Sequence, residues 1–418
     1  MRASRWLWLG LLLAPLAASA GDVFENVRNF SQSQATSREP VVELVGSHVF
    51  TAWIDMRTGY GDVYFRQSEN RGLSYGVPQN LSDSHHARAS DVQVARVQGN
   101  VYVLWAEAGI RFRASHDLGE TFGPVQVLSG SGRAPQLVAA NGNVYVAWSG
   151  PGTAGGLFLR ASHDFGGSFE PPIELTEQAK GGDLALAAEG TTVHAVWDDG
   201  THVFLRQSLD EGRSFTPAQV LDEGDGPSED ASLAVQGMVV YVVWREGSGC
   251  GGEIVFRRSA PDGAGFEPSV NLSQNAVDSV DPLLEVNGAS VFVVWKEKVA
   301  GQTDIFFTRS LDAGGTFEAP RNVSATPGKS SQYALSSTGG FVRIVWRDRS
   351  EGSGDIFYRS SADGGATFGQ TRNLSQSPGR STSPVIISSG WAAEVHVFWE
   401  EDLPGNRESF YRRGVLEP

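Results

Sequence analysis

Short apolar runs that end in tryptophan recur along the chain, as in VYVLW, VYVAW, VVYVVW and VFVVW. The tryptophans fall at 53, 105, 148, 197, 244, 295, 346 and 399. A polar loop follows each, and then a second apolar run ending in basic residues: DVYFR, EIVFRR, DIFFTR, DIFYR, ESFYRR. Before the Trp runs stand PVVELV, PQLVAA, DLALAA and DPLLEV, and after the basic residues come stretches such as FGPVQVLS and FEPSVNLS. Each unit therefore predicts four short strands separated by turn signals, an all-β pattern. Several runs are apolar at every position, which predicts strands covered on both faces. Repeated four-stranded sheets packed between like neighbours describe a β-propeller. Eight Trp strands predict eight blades. The C-terminal unit stops at a third strand, ESFYRRG, whereas VFENVRNFSQS near the N-terminus resembles the fourth strand FGQTRNLSQS. Val23–Ser31 is thus expected to complete the last blade and close the ring, which removes an open sheet edge. One domain over 21–418 follows.

Between the third and fourth strands lies a repeated segment. Ser-x-Asp-x-Gly-x-(Ser/Thr)-Phe occurs five times, at Ser115–Phe122, Ser162–Phe169, Ser208–Phe215, Ser310–Phe317 and Ser361–Phe368. Ser68–Tyr75 carries Asn70 in the Asp position, and Ser259–Phe266 carries Pro261. An Asp side chain accepts backbone N–H bonds within its own turn, and Gly supplies a positive φ without steric cost. A catalytic acid is needed once, so Asp117, Asp164, Asp210, Asp312 and Asp363 read as hairpin supports. The segment resembles the Asp-box, or BNR repeat, of sialidases and related propellers. The resemblance covers nearly the whole chain after residue 20 and implies a propeller whose boxes lie opposite its active face. It also implies three converging arginines, a Tyr–Glu nucleophile pair and an Asp acid, but no motif places these here. The Arg-Ile-Pro motif of those enzymes is absent, and they have six blades.

Composition limits the partners. The first residues, MRASRWLWLGLLLAPLAASA, have a basic start, an apolar core and a small-residue cleavage site. They predict a cleaved secretory signal over 1–20, with a secreted or periplasmic product. Losing Arg2 and Arg5 takes the formal charge from −15 to −17. Such a balance disfavours nucleic acid, which needs basic patches to displace counterions, and no later run is long and apolar enough to insert in a membrane. The single cysteine, Cys250, excludes an internal disulfide.

The loops between second and third strands share a face with the inter-blade loops, and ligands are expected there. Two residues after Trp stand Asp55, Glu107, Asp199, Glu246, Glu297, Asp348 and Glu401, with Gly150 in the third blade. Seven residues further come Asp62, Glu253, Asp304, Asp355 and Glu408. Paired carboxylates suggest glycosidase chemistry, but repetition argues for partners among loop N–H groups or the cations Arg57, Arg245, Lys296 and Arg347. No cofactor is expected. A structural calcium ion is the alternative for these columns, since carboxylates and carbonyls suit it. A third column, at the start of the first strand, holds Glu39, Asp91, Asp183, Asp230 and Asp281, with Ala134, Gln332 and Ser383 in the other blades. It predicts an acidic channel mouth, relieved by Arg38, Arg88, Arg133 and Arg380 nearby. His85–His86 reads as a solvated loop pair. Asn80, Asn271, Asn322 and Asn373 fit the glycosylation pattern, but all sit at the end of a fourth strand, whose sequence accounts for them. Two functions follow: a non-catalytic propeller binding protein or carbohydrate on this face, or a glycoside hydrolase of sialidase type.

Overall fold

The computed structural model describes residues 21–416 apart from 85–86, 152–154, 177–181, 225, 248, 250, 261–264, 276, 300 and 391–393. Residues 1–20, expected to be a signal segment, and His85–His86, Cys250 and Pro261 lie outside the described residues. The rest forms eight antiparallel sheets and, among the described residues, no helix. Blades I to VII span 37–80, 90–129, 133–174, 184–220, 228–271, 279–322 and 330–373; blade VIII joins 380–416 to 22–29. The protein is an eight-bladed β-propeller.

The second strands are the cores of the blades. His48–Asp55 is buried at every position after His48, and Asn143–Ser149 is buried throughout. Each Trp faces its cross-strand neighbour on the third strand, and six of these neighbours are aromatic. Trp53 stacks on Tyr64, Trp148 on Phe158 and Trp197 on Phe204, with ring centroids 5.9, 5.9 and 5.5 Å apart. Such pairs add about 0.5–1.5 kcal/mol beyond area burial. The apolar side chains sort into eight clusters, each shared by two adjacent blades, so the core is a closed ring.

The basic residue near the end of the third strand ties neighbouring blades together. In blade II, Arg113 Nε donates to Gly123 O (2.6 Å) and Nη1 to Leu81 O of blade I (3.0 Å). Arg66, Arg160, Arg206, Arg257, Arg359 and Arg412 repeat the link to the preceding blade. This corrects the expected fourth strand. Most fourth strands pair over two residues only, such as Gln79–Asn80, and in most blades the arginine side chain takes the carbonyl just after the aromatic residue. The proline that often follows has no N–H to give to a ladder.

The ring closes between the expected segments. Asp22, Val23 and Phe24 pair with Leu416, Val415 and Gly414, and Arg28 and Asn29 pair with Tyr411 and Phe410. One contact was not legible in the sequence. Arg343 of blade VII donates to Asp22 from Nε (3.1 Å) and Nη2 (2.9 Å), with both side chains fully buried. Tyr358 donates its hydroxyl to the same carboxylate.

The third-to-fourth turns are near copies. Ser115 Oγ donates to Asp117 Oδ1 (2.7 Å) and accepts Gly119 N–H (2.8 Å), while Asp117 accepts Thr121 N–H (2.9 Å). The same bonds recur at Asp164, Asp210, Asp312 and Asp363, and Asn70 reproduces them in blade I. Gly119 has φ +86°, where an L side chain is strained. Hydroxyl bonds from Ser168 and Ser214 hold Asp164 and Asp210 down to about 2, and Ser310 does the same for Asp312. A depressed carboxyl stabilises the fold above its unfolded value and loses that contribution as pH falls through the folded one. These turns should therefore stay intact until the pH falls well below 3.8. The closing aromatic does not enter its own blade. Phe122 packs edge-on against Phe65 of blade I (4.9 Å), and Phe169 against Phe112 of blade II (5.0 Å).

Candidate functional site

The two carboxylate columns meet in register on the face opposite these turns. Asp55 lies opposite Asp62, Glu246 opposite Glu253, Glu297 opposite Asp304, Asp348 opposite Asp355 and Glu401 opposite Glu408. Their oxygens are largely engaged by their own blades. Fully buried Asp55 accepts Ser33 Oγ (2.8 Å), Ser37 Oγ (2.9 Å), Trp53 Nε1 (3.1 Å), Arg57 N (2.9 Å) and Arg57 Nη2 (2.7 Å). Trp105, Trp295 and Trp399 likewise donate their indole N–H to Glu107, Glu297 and Glu401. Asp348 accepts Ser330 Oγ (2.8 Å) and Ser350 N (2.8 Å). Among the described residues Glu246 is the least engaged, with Gly224 N at 3.2 Å. Asp199 turns to its own loop and accepts Thr201 and His202 N–H.

The second column is gripped by the Asn-x-Ser segments. Asn80 Nδ2 and Ser82 Oγ both donate to Asp62 (3.0 Å each), and Asn322 and Ser324 hold Asp304 in the same way. Asn373 and Ser375 hold Asp355, and Ser273 donates to Glu253. The serine also accepts the next backbone N–H, as in Val63 N to Ser82 Oγ (3.0 Å). The Asn-x-Ser spacing was visible in the sequence, but its pairing with these carboxylates was not. Of the expected cation partners, only Arg57 meets its column acid. Arg245 pairs instead with Glu229 and Asp278, and Lys296 with Asp281. Arg347 has no carboxylate within 4 Å among the described residues.

The third column differs in its backbone. Glu39, Asp91, Ala134, Asp230, Asp281, Gln332 and Ser383 all have positive φ, between 45° and 58°. In each of these seven blades the first strand shifts register at this position. The bulge turns a backbone N–H toward the channel, and a neighbouring acid takes it: Glu39 N donates to Glu400 Oε1 and Asp91 N to Glu39 Oε2, both 2.8 Å. Asp tolerates this conformation better than most residues. The bulge also falls at Ala134, Gln332 and Ser383, so it sets the backbone of the column rather than its acidic content.

On blades IV to VI the mouth opens as a cavity of about 300 Å³ lined by Asp183, Asp230 and Asp281 with Ala185, Leu233, Pro282 and Leu283. Burial first, then Asp281, Glu229 and Asp183, push Asp230 up to about 6 against the pull of Arg245. Burial, then Asp183 and Asp230, do the same to Asp198, which is 6% exposed and has Oδ2 unpartnered. Among the described residues no three acidic, histidine or cysteine side chains converge to hold a metal ion. A carboxyl raised on folding favours the fold fully below its unfolded value near 3.8, and that contribution is lost as pH rises through about 6. Asp230→Asn should therefore raise the melting temperature at pH 8 and change it little at pH 4. Equal shifts at both pH values would contradict this.

Blades VII and VIII, next to blade VI, carry Arg347, Arg349 and Arg380. Arg347 is 4% exposed, and burial followed by Arg349 and Arg380 lowers it to about 10. No tyrosine hydrogen-bonds a glutamate among the described residues; the tyrosine–acid contact recorded is Tyr358 with Asp22.

No protein-family model matches the chain. No curated protein matches it either. Among solved structures, ulvan lyase, a polysaccharide lyase bound to -[GlcA(1-4)Rha3S]-, aligns over 85% of this chain and 97% of its own, with 10% identity and a TM-score of 0.50. YCF48 bound to a D1 peptide aligns over 96% of this chain and 98% of its own at 13% identity (TM-score 0.49). A Trypanosoma rangeli sialidase, as the covalent intermediate with 2,3-difluorosialic acid, aligns over 90% of this chain but 54% of its own at 11% identity (TM-score 0.41). At these identities the likeness is one of fold.

Proposed function

We propose that this chain is an exported Asp-box propeller that binds a protein or carbohydrate ligand on the face carrying the second-to-third loops, without catalysing a reaction on it. What carries this reading is where the polar groups are already spent. The acids at 55, 62, 297, 304, 348, 355 and 401 hold their own loops through two or more hydrogen bonds each. They are poor candidates for a general acid or nucleophile, which must exchange protons or attack. The charges left to meet a ligand are those of the mouth, acidic on blades IV to VI and again at Glu39, Asp91 and Glu400, with Arg347, Arg349 and Arg380 on blades VII and VIII. The repeated boxes and the N-terminal segment support the family and the export. Cleavage after Ala20 would make Asp22 the second residue of the exported chain.

A glycan array and a pull-down with the purified protein test the proposal. A ligand should be found whose binding is lost on changing Asp281 or Arg380 and kept on changing Glu120 of a third-to-fourth turn. Turnover of a fluorogenic sialoside, or a ligand footprint on the turn face, would sink it.

A further inference from the structure

The residue that follows the Trp lies beside the third column. Arg245 is the cross-strand partner of Glu229, which precedes Asp230, and Lys296 that of Val280, which precedes Asp281. Both blades thus bring a cation to their own rim. Lys296 Nζ pairs with Asp281, and Arg245 pairs with Glu229 and Asp278 and pulls on Asp230. In blade IV the same position holds Asp198. Leu184 faces Trp197 there, which sets the rim acid Asp183 beside Asp198. Where its neighbours have a cation, blade IV has a second carboxylate.

Asp198 is buried. Its Oδ1 accepts Gly200 N–H (3.2 Å), whereas its Oδ2 has no partner among the described residues. Asp183 and Asp230, from two adjacent blades, both act on its charge, which places the carboxylate at their junction. Glu400 shows how this position is satisfied from within: its Oε1 takes the bulge N–H of Glu39 in the next blade. Asp198 is one methylene shorter and makes no such bond with Asp230. A buried carboxylate with a free oxygen and acids for neighbours lacks a counter-charge.

The rim acids also enclose a shaped space. Asp183, Asp230 and Asp281 stand around the cavity of about 300 Å³, and between them its lining is apolar, with Ala185, Leu233 and the exposed Leu283. Tyr333 of blade VII adds a buried hydroxyl that Asp281 and Asp230 act on and that has no partner among the described residues. An acidic rim over an apolar floor suits a positive charge carried on a hydrocarbon stem, which keeps its methylenes on apolar surface and its head among polar groups.

We infer that the mouth at blades IV and V takes the alkylammonium group of a ligand, its nitrogen among Asp183, Asp198 and Asp230 and its stem over Leu233 and Leu283. The inference rests on the reading of this face as the binding face and gives that site its chemistry. The ammonium does for Asp183 and Asp198 what Lys296 does for Asp281. A lysine side chain of a protein and a free diamine both carry such a group.

The purified protein is titrated by calorimetry with Nα-acetyl-lysine amide, with its Nε-acetylated form, with putrescine and with calcium chloride, all at matched ionic strength. The lysine derivative should bind saturably, and the Nε-acetylated form at least about tenfold more weakly, because acetylation removes the charge and keeps the stem. Tighter binding of the lysine derivative than of putrescine assigns the group to a protein side chain, and the reverse order to a free diamine. Asp183→Asn, at an exposed position, should lower the affinity by about tenfold, as expected for loss of a charge-assisted contact. Asp198→Lys, which supplies the cation from within, should raise the melting temperature and abolish binding. Binding of calcium alone, equal affinity for the charged and acetylated forms, or an Asp183→Asn protein with unchanged affinity would each overturn the site. A ligand from the array or pull-down that maps to the mouth, with neither amine bound, would overturn this inference and leave the proposed function standing. Amine binding together with an empty array and pull-down would leave this site standing and remove the macromolecular ligand instead.

Discussion

Asp22→Ala is expected to lower the unfolding free energy by about 3–5 kcal/mol, the usual cost of removing one partner from a buried ion pair. Asp22 accepts two bonds from Arg343 and one from Tyr358, and no water reaches either member of the pair. Removing the carboxylate takes away the counter-charge that Arg343 meets with two bonds inside the protein. It also unfastens the strand that completes blade VIII, since Asp22, Val23 and Phe24 are the residues paired with the end of the chain. The loss should therefore show as early exchange of amides 410–416 as well as a lower melting point. Adding Arg343→Met to Asp22→Ala should recover much of the loss, because an apolar side chain of similar length needs no counter-charge. A loss below about 1 kcal/mol, the range of an exposed pair, would mean that the ring is closed by strand pairing alone.

Asp55→Ala is the second large effect expected, about 3 kcal/mol, from a buried carboxylate that satisfies Trp53, Ser33, Ser37 and Arg57 together. Arg57 is partly exposed and can turn to water, so its share of the loss is small. The cost comes from the indole N–H and the two hydroxyls left without an acceptor. Burial opposes ionisation of Asp55, but the bonds from Arg57 and Trp53 outweigh it and hold the carboxyl below its ordinary value. The same substitution at Glu246, which among the described residues holds one long bond, to Gly224, should cost less than about 1 kcal/mol. Chemical denaturation of the two variants decides the matter. Similar losses at both positions would show that the column does not work as a set of loop braces, and would reopen a role for these acids in chemistry.

The repeat made the fold legible. A Trp strand buried on both faces, a third strand ending in a basic residue, and a turn built on Asp and Gly recur often enough to be aligned by eye, and eight blades follow from counting. Which segments close the ring followed from the likeness of the first residues to a fourth strand. What remained hidden were contacts between units, because a repeat pattern describes one unit at a time. The arginine of the third strand bonds a carbonyl of the preceding blade, the closing Phe packs on the preceding blade, and Arg343 meets Asp22 across 321 positions of sequence.

The site was less legible for a related reason. A column of acids looks the same whether it faces a ligand or an asparagine from its own blade. Asp62 and Asp355 turned out to be held by Asn80 and Asn373, whose spacing suggested a different use. The informative positions are those where a repeat departs from its neighbours. Asp198 is unremarkable alone and becomes a signal only beside Arg245 and Lys296.

The most direct measurement is the hydrogen-exchange footprint of the protein with the ligand that the array or pull-down selects. The account predicts protection at 183–185, 230–233 and 281–284, with the turns at 115–122, 162–169 and 361–368 unchanged. Protection confined to those turns, with the mouth exchanging as in the free protein, would contradict it.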